Sequence, residues 1–217
     1  ADSRDVLIFK KNSFKKKKIQ IFTSSPRRQE NLSTFLKQAF PFETSSLSFC
    51  DVRGNILTRF QKLQDSKADG LIIAKAAIDR LLSPKSESIK ELNSFKNELG
   101  EFLWMVIPCS QNPCAPGQGA LAIEVKSGNT KIIKLLNEIN NLDIFKDVED
   151  EREKLKKYGG GCHQKIGVSI ENHPLGKVLT EKGLTPDNKI IDNRSFLPFE
   201  KELSRFANPV KDFYPKV

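Results

Sequence analysis

The chain has few of the residues that build metal centres, and it has no long apolar segment. Its 217 residues include two histidines and four cysteines, and no two cysteines form a CxxC pair. A structural zinc site is therefore not expected, and reduced thiols fit this usage better than disulfides. No apolar run approaches membrane-spanning length, and the lysine-rich N-terminus lacks the apolar core of a signal peptide. We expect a cytoplasmic protein, or one of an organellar stroma or matrix if the source is eukaryotic, without membrane insertion.

Positive charge exceeds negative charge along the chain. The formal net charge is +9, and 38% of the residues are hydrophobic, which is enough for a globular protein of one or two domains. Such a charge favours a polyanionic partner: nucleic acid, a membrane surface or a small molecule with several carboxylates. The densest lysine run, residues 15–18, has no interleaved aromatic residues for base stacking. We therefore expect a solvated basic loop there and no nucleic-acid binding.

Strand and helix patterns alternate three times in the first part of the chain. Apolar strand candidates at residues 19–22, 47–52 and 70–74 are each followed by a helical pattern. Ser25 and Pro26 supply an N-cap and a first helical residue. Three such units predict a parallel, doubly wound α/β sheet, in which ligands bind outside the carboxyl ends of the strands. The next candidates are a surface helix and two strands, at 84–100, 102–107 and 120–125.

The last part of the chain has a different pattern. Two helical segments, at residues 131–142 and 144–158, precede three segments in which apolar and polar residues alternate. We therefore predict a second, smaller α/β (α+β) domain from about residue 130, with a three-stranded antiparallel sheet. Its predicted strands and closing helix lie at 166–170, 177–182, 189–193 and 199–206.

Arginines follow the first two predicted strands. Arg27 and Arg28 lie in the first turn of the first helix, and Arg53 and Arg59 flank the second strand-to-helix turn. Free N–H groups and the helix dipole favour an anion at a helix N-terminus, and guanidinium groups add forked donors. Because cations are poorly placed at a helix N-terminus, we interpret the cluster as a carboxylate or phosphate site. The alternative is a solvated basic first turn.

One cysteine follows three consecutive glycines. Gly159, Gly160 and Gly161 come after a charged helical run and precede Cys162. Glycine tolerates positive φ and has no side chain that could cover a neighbour, so this turn can expose a reactive thiol. The alternative is a helix C-cap followed by a small buried residue, since free cysteine is among the most buried residue types.

Four motifs together resemble the hydroxymethylbilane synthase (porphobilinogen deaminase) family. They occur in the family's order and span nearly the whole chain: TSSPRRQ at 23–29, RGNILTR at 53–59, PGQGALAIE at 116–124 and GGC at 160–162. The resemblance implies a three-domain transferase of tetrapyrrole and haem biosynthesis, with a doubly wound, periplasmic-binding-protein-like domain. Such an enzyme condenses four porphobilinogens into hydroxymethylbilane and releases ammonia. The resemblance also implies a dipyrromethane cofactor attached to Cys162 through a thioether.

The resemblance assigns roles to individual residues. Each pyrrole brings an acetate and a propionate, which bidentate arginine contacts can neutralise. Residues that match the family's cofactor-binding positions are Cys162, Ser25, Arg27, Arg28, Arg53 and Gly54, and those that match substrate-binding positions are Arg59, Arg80, Gln118 and Gly119. Without the resemblance, Arg80 would be interpreted as a solvated helix charge.

Two motifs of the family's first domain have no match in this sequence: the arginine-serine pair carried by that domain's first strand and helix, and the lysine-aspartate pair in a string such as HSLKD. Because that aspartate is the family's catalytic group, no catalytic residue is predicted in this chain, and we expect weak activity or none from the chain alone. By resemblance, residues 1–101 are mainly the family's second domain and 130–217 the cofactor-attachment domain. Residues 102–129 would be a return segment of the first domain that lacks its usual sheet partners.

Several alternatives stay open at this point. The chain is an expression fragment, a proteolytic product, or half of a split enzyme whose first domain is a separate polypeptide. The implied partners are porphobilinogen, the growing oligopyrrole and, for a split enzyme, that second polypeptide. A rival interpretation is a non-catalytic binding module in which the doubly wound domain captures an acidic ligand.

Overall fold

A computed structural model describes residues 1–83, 90–159 and 164–199 of the chain. The N-terminal part alternates strands and helices, and the C-terminal part consists of two helices followed by three strands. The elements are β1 (Asp5–Lys10), β2 (Lys18–Phe22), α1 (Pro26–Ala39), β3 (Ser46–Cys50), α2 (Ile56–Asp65), β4 (Gly70–Ala74), α3 (Lys75–Leu81), α4 (Lys90–Leu99), β5 (Phe102–Ile107), α5 (Thr130–Ile139), α6 (Leu142–Lys156), β6 (Gly167–His173), β7 (Gly176–Leu184) and β8 (Ile190–Pro198).

The N-terminal strands form a five-stranded mixed sheet in the order β3-β2-β4-β1-β5. Strand β2 pairs in parallel with β3 and β4, whereas β1 pairs antiparallel with both β4 and β5. Strands β2, β3, β4 and β5 therefore run in one direction and β1 runs against them. The prediction of a parallel sheet is wrong in this respect, because no strand was predicted at residues 5–10.

Helices cover both faces of this sheet. Helix α1 packs on one face, and α2, α3 and α4 pack on the other. From β2 the chain passes through α1 to β3 on one side, and from β3 it passes through α2 to β4 on the other side of β2. Because both crossovers are right-handed but run in opposite directions, α1 and α2 lie on opposite faces of the sheet. Each face has its own apolar core: Leu7, Ile19, Ile21, Leu32, Leu36 and Ile72 on the first, and Val6, Ile8, Leu63, Leu71, Ile73 and Ile78 on the second.

The C-terminal strands form the separate three-stranded antiparallel sheet that the sequence predicts, in the order β6-β7-β8. Helix α6 packs against β6. Burial of Ile166, Val168, Leu179 and Ile191 provides a small core. The predicted closing helix at 199–206 lies, from residue 200 onward, outside the described residues.

The segment between the two sheets differs from the prediction. Strand β5 pairs with β1 from Phe102 to Ile107, so the expectation that this stretch lacks sheet partners is wrong. The strand predicted at 120–125 does not form. Its Leu121 and Ile123 side chains are 78% and 64% exposed, and α5 after it has no buried residue. None of the helices in the described ranges combines the length and apolar content needed to cross a membrane.

Candidate functional site

The sheet directions bring the two predicted arginine turns, after β2 and after β3, to one edge. Strands β2, β3, β4 and β5 end there and β1 begins there, and we call it the carboxyl edge. The TSSPRRQ segment follows β2, and the Arg53-Gly54 turn follows the neighbouring β3. Ser24 ties the two segments together, because its hydroxyl donates to the Val52 carbonyl and accepts from the Val52 N–H, both at 2.8 Å.

An acidic residue that the sequence analysis did not select lies at the centre of this edge. Asp5, at the start of β1, is fully buried. Its carboxylate accepts hydrogen bonds from Arg28 Nε at 2.9 Å and Nη2 at 2.7 Å, and from Arg27 Nη2 at 3.0 Å. The amides of Asn112 and Gln118 donate to it at 2.7 and 2.8 Å. A single carboxylate thus joins β1, α1 and the loop after β5.

The environment of Asp5 keeps it ionised. Burial alone would raise the pKa of this carboxyl, but the charges of Arg28 and Arg27, together with the hydrogen bonds from Arg28 and Gln118, outweigh burial and lower the pKa to about 2. At neutral pH the edge therefore contains one buried negative charge between two guanidinium groups, which leaves a net positive charge.

The side chain of Arg27 is buried and does not face solvent as a solvated first turn would. It is only 5% exposed, and besides Asp5 its Nη1 donates to Asn112 Oδ1 at 2.9 Å and to the Pro113 carbonyl at 2.5 Å. Gly167 of β6 allows this packing, since a Cβ there would lie 2.1 Å from the Pro113 oxygen and 3.0 Å from Arg27 Cδ. The guanidinium of Arg27 is an internal cross-link between segments, and a ligand would have to break it to bind there.

Arg28 is more accessible, and Ser25 positions its backbone. The Arg28 side chain is 11% exposed and also donates from Nη1 to the Ile72 carbonyl at 3.3 Å. Ser25 Oγ accepts a hydrogen bond from the Arg28 N–H, which confirms the predicted N-cap, with Pro26 as the first helical residue.

The turn after β3 presents a second arginine pair. Arg53 is exposed, and Arg59 donates from Nε to the Gly54 carbonyl at 2.7 Å. Gly54 has φ of +120°, and a Cβ there would lie 2.7 Å from Thr58 Cγ2, so this turn requires glycine. Arg53 also lines an open cavity of about 440 Å³. The cavity contains both signs of charge, since its other lining residues are Phe22, Asp51, Val52, Lys62, Asp65 and Ser66.

Gln118, Gly119 and Arg80, which are also predicted to bind substrate, lie outside the two arginine turns. Gln118 donates from Nε2 to the Ser3 carbonyl at 2.6 Å as well as to Asp5, and Gly119 has φ of +89° beside Ser3. Gln118 therefore holds the segment before β1, and Gly119 leaves room for that segment. Arg80 is exposed in the last turn of α3.

The predicted attachment residue, Cys162, lies outside the described residues, as do its neighbours Gly160, Gly161 and His163. The two flanks of this segment are joined, because Gln164 donates from Nε2 to the Tyr158 carbonyl at 2.6 Å. Gly159, on the first flank, has the positive φ of +101° that a glycine at a helix end can adopt.

Asp69 is a second buried aspartate of this sheet, and it does not belong to the carboxyl edge. It precedes β4 and therefore lies at the opposite edge of the sheet. Its carboxylate accepts hydrogen bonds from Ser13 Oγ, Lys16 Nζ and the Gln20 N–H. Asp69 thus holds the β1–β2 connection.

Comparison with known proteins identifies the family of the chain. Residues 1–134 match the family described as porphobilinogen deaminase, dipyromethane cofactor binding domain. The chain belongs to the porphobilinogen deaminase family. It is 36% identical over 140 residues to the porphobilinogen deaminase of Dictyostelium discoideum, an alignment that covers 64% of this chain and 37% of the relative.

Two further porphobilinogen deaminase relatives are similar over more of the chain. The enzyme of Caldicellulosiruptor saccharolyticus is 32% identical over 214 residues, with 94% of this chain and 64% of the relative covered. A probable porphobilinogen deaminase of Sulfurisphaera tokodaii is 31% identical over 169 residues, with 78% and 49% covered. The chain thus spans between about a third and two thirds of the length of these relatives.

Proposed function

We propose that this chain contributes the pyrrole-binding part of a hydroxymethylbilane synthase. The reaction joins four porphobilinogens head to tail and releases ammonia at each step. The observation that supports this best is the carboxyl edge, where Arg28 follows β2 and Arg53 lies in the turn after the neighbouring β3, which Arg59 contacts. The family of this chain is described by its dipyromethane cofactor. Guanidinium groups at the ends of adjacent strands suit a ligand that carries several carboxylates.

The donors at this edge fit a dipyrromethane, which bears acetate and propionate groups. Arg28 and Arg53 would hold its carboxylates, with Ser25 and the Gly54 backbone fixing the two turns, and Cys162 would form the thioether. When bound, the cofactor supplies the primer to which pyrrole units are joined. Arg27 does not fit this role directly, because its guanidinium is already bonded to Asp5, Asn112 and Pro113.

Incoming substrate would use the remaining cations. Arg59 lies beside Arg53 on the same turn, and Arg80 lies on α3, which begins at the carboxyl edge. We propose Gln118 and Gly119 as cleft residues: Gln118 bonds the Ser3 carbonyl and the Asp5 carboxylate, and Gly119 leaves room for the Ser3 backbone. Neither the HSLKD-like string nor another aspartate with that context occurs in this sequence, so we expect the chain alone to be weakly active or inactive.

We propose that the five-stranded unit is the family's second domain, of periplasmic-binding-protein type. Two features support this assignment: helices cover both faces of the sheet, and one strand, β1, runs antiparallel to the others and lies between β4 and β5. Because β5 belongs to that sheet, we move the end of this unit from residue 101 to Ile107. The return segment is then 108–129, and the cofactor-attachment domain stays at 130–217.

A further proposal concerns the apolar surface formed by the 120–125 segment and the two helices after it. Its exposed members are Leu121, Ile123, Ile132, Leu135, Ile139, Leu142, Ile144 and Phe145. Large apolar patches on a protein surface usually mark interaction sites. We propose that first-domain polypeptide, in the same molecule or as a partner chain, packs on it. Co-expression with the first domain of a relative should yield a complex, and Leu121→Asp should prevent it.

Mass spectrometry tests the cofactor attachment. The intact chain, isolated from its native cells and denatured, should carry an added mass of two pyrrole units, and Cys162→Ser should lack it. An unmodified wild-type chain, or an adduct that persists in Cys162→Ser, would contradict the proposal. Full hydroxymethylbilane synthesis by the purified chain alone would show that our expectation of low activity is wrong.

A further inference from the structure

We propose that Asp5 is a positioning residue of the carboxylate-binding site, which orients the guanidinium of Arg28 and withdraws Arg27 from ligand binding. This inference rests on the proposed function. It assigns a role in pyrrole binding to a buried acid that would itself not touch the ligand.

The contact with Arg28 is a two-point one. Nε and Nη2 donate to different oxygens of Asp5, so the plane of the guanidinium is fixed as well as its position. A guanidinium has five N–H donors. Two of them go to Asp5 and one goes to the Ile72 carbonyl. The other two, on the Nη atoms, make no hydrogen bond to any residue in the described part of the chain, and the side chain reaches solvent.

Charge explains why an acid is needed at this point. Arg27 and Arg28 are adjacent, poorly exposed and both directed at the same place. Without a negative charge between them, the two guanidinium groups would repel each other and each would lose hydrogen bonds. One aspartate satisfies both arginines and still leaves a positive charge to attract a ligand carboxylate.

Arg27 is held more completely than Arg28. Its Nη groups donate to three partners, Asp5, Asn112 and Pro113, and Asn112 also donates to Asp5. Gln118 completes the set of donors to the carboxylate. The same aspartate therefore makes one arginine structural and the other available, a division that the TSSPRRQ motif alone does not show.

A double-mutant cycle tests this role, with calorimetry of porphobilinogen binding to the full chain as the measurement. We expect Asp5→Asn and Arg28→Lys each to weaken binding on the order of tenfold, the value of a charge-assisted hydrogen bond. If Asp5 acts through Arg28, the double variant should bind about as weakly as either single variant. Asp2→Asn, the same change three residues away in an ion pair with Arg4, should leave binding unchanged. Additive losses, or wild-type affinity in Asp5→Asn, would overturn the proposal.

A second measurement uses the wild-type chain, in case Asp5→Asn does not fold. Side-chain ¹⁵N NMR, with Arg27→Lys and Arg28→Lys for assignment, should show slowly exchanging guanidinium N–H signals for both arginines. Porphobilinogen should shift the Arg28 signals and leave those of Arg27 in place. Larger shifts at Arg27 would overturn the inference. If wild type binds no porphobilinogen, the proposed function fails for this chain, and the role of Asp5 is decided by the free protein: a rapidly exchanging Arg28 Nε–H would refute it.

Discussion

Glu151 and Gly117 connect the C-terminal unit to the loop after β5. Glu151 Oε2 accepts a hydrogen bond from the Gly117 N–H at 2.8 Å, and its Oε1 accepts one from the Ile170 N–H of β6 at 2.9 Å. Burial raises the pKa of this carboxyl, against the opposing effect of the two backbone donors. Nothing in the charged pattern of α6 distinguishes Glu151 from its acidic neighbours, so sequence analysis did not select it.

Replacing Glu151 should therefore destabilise the protein. In Glu151→Gln the side chain has one acceptor oxygen, but two backbone N–H groups, of Gly117 and Ile170, need an acceptor. The amide NH₂ would face one of these N–H groups, and two donors cannot bond each other. We expect the free energy of unfolding, from urea denaturation, to fall by about 1–3 kcal/mol. Glu153→Gln, an exposed change on the same helix, should stay within about 0.5 kcal/mol of wild type. Equal stabilities for the two variants would contradict the assigned contact.

Two arginines of the predicted site should respond differently to truncation. Arg27→Ala removes a buried guanidinium from Asp5, Asn112 and Pro113 and should lower the free energy of unfolding by about 3 kcal/mol. Arg53→Ala removes an exposed side chain and should change it by less than about 0.5 kcal/mol. Denaturant titration of both variants checks this, and a stable Arg27→Ala protein would mean that the internal cross-link is unimportant.

Acid should remove the contribution of Asp5 to stability. The pKa of Asp5 is lowered from 3.8 to about 2, so between these values the unfolded chain binds more protons than the folded one. The contribution is complete above pH 3.8 and is lost as pH falls toward 2, by roughly 2 kcal/mol. The stability difference between wild type and Asp5→Asn should shrink across this window. A constant difference between pH 5 and about pH 2 would show that Asp5 is not held by its charge.

The Gly54 turn should not tolerate a side chain. Gly54→Ala combines a positive φ with a Cβ 2.7 Å from Thr58 Cγ2, which also disturbs the carbonyl that Arg59 contacts. Gly128→Ala is a matched control, because φ is +91° there and nothing lies within 4 Å of the added Cβ. We expect Gly54→Ala to be less stable than Gly128→Ala by about 1 kcal/mol in thermal denaturation. Equal melting temperatures would argue against the close contact with Thr58.

Local patterns predicted the regular elements well. The strands at 70–74 and 102–107 match the structure to the residue, and the start of α1 follows from Ser25 and Pro26. The errors concern pairing. Residues 120–125 alternate as a strand does, but a strand also needs a neighbour to bond its backbone, and none is present in the described part of the chain. Strand β1 was not predicted, because it precedes the three strand-helix units on which the prediction of the sheet rested.

The sequence predicted which arginines belong to the candidate site, but not which of them are buried or what they bond. Strand order places Arg28 and Arg53 at one edge, which the βα pattern anticipates. The burial of Arg27 depends on Asp5, 22 residues earlier, and on Asn112, 85 residues later. Such distant pairings leave no periodic signal, so a sequence motif cannot tell a ligand-binding arginine from a structural one.

The central claim is that the carboxyl edge of the five-stranded sheet binds the carboxylates of pyrroles. Calorimetric titration of porphobilinogen into wild type, Arg53→Ala and Lys17→Ala tests it most directly, since Lys17 is an exposed cation at the opposite edge. We predict equal affinities for wild type and Lys17→Ala, and binding at least about tenfold weaker for Arg53→Ala. An Arg53→Ala protein that binds as tightly as wild type, or a Lys17→Ala protein that is equally impaired, would contradict the account.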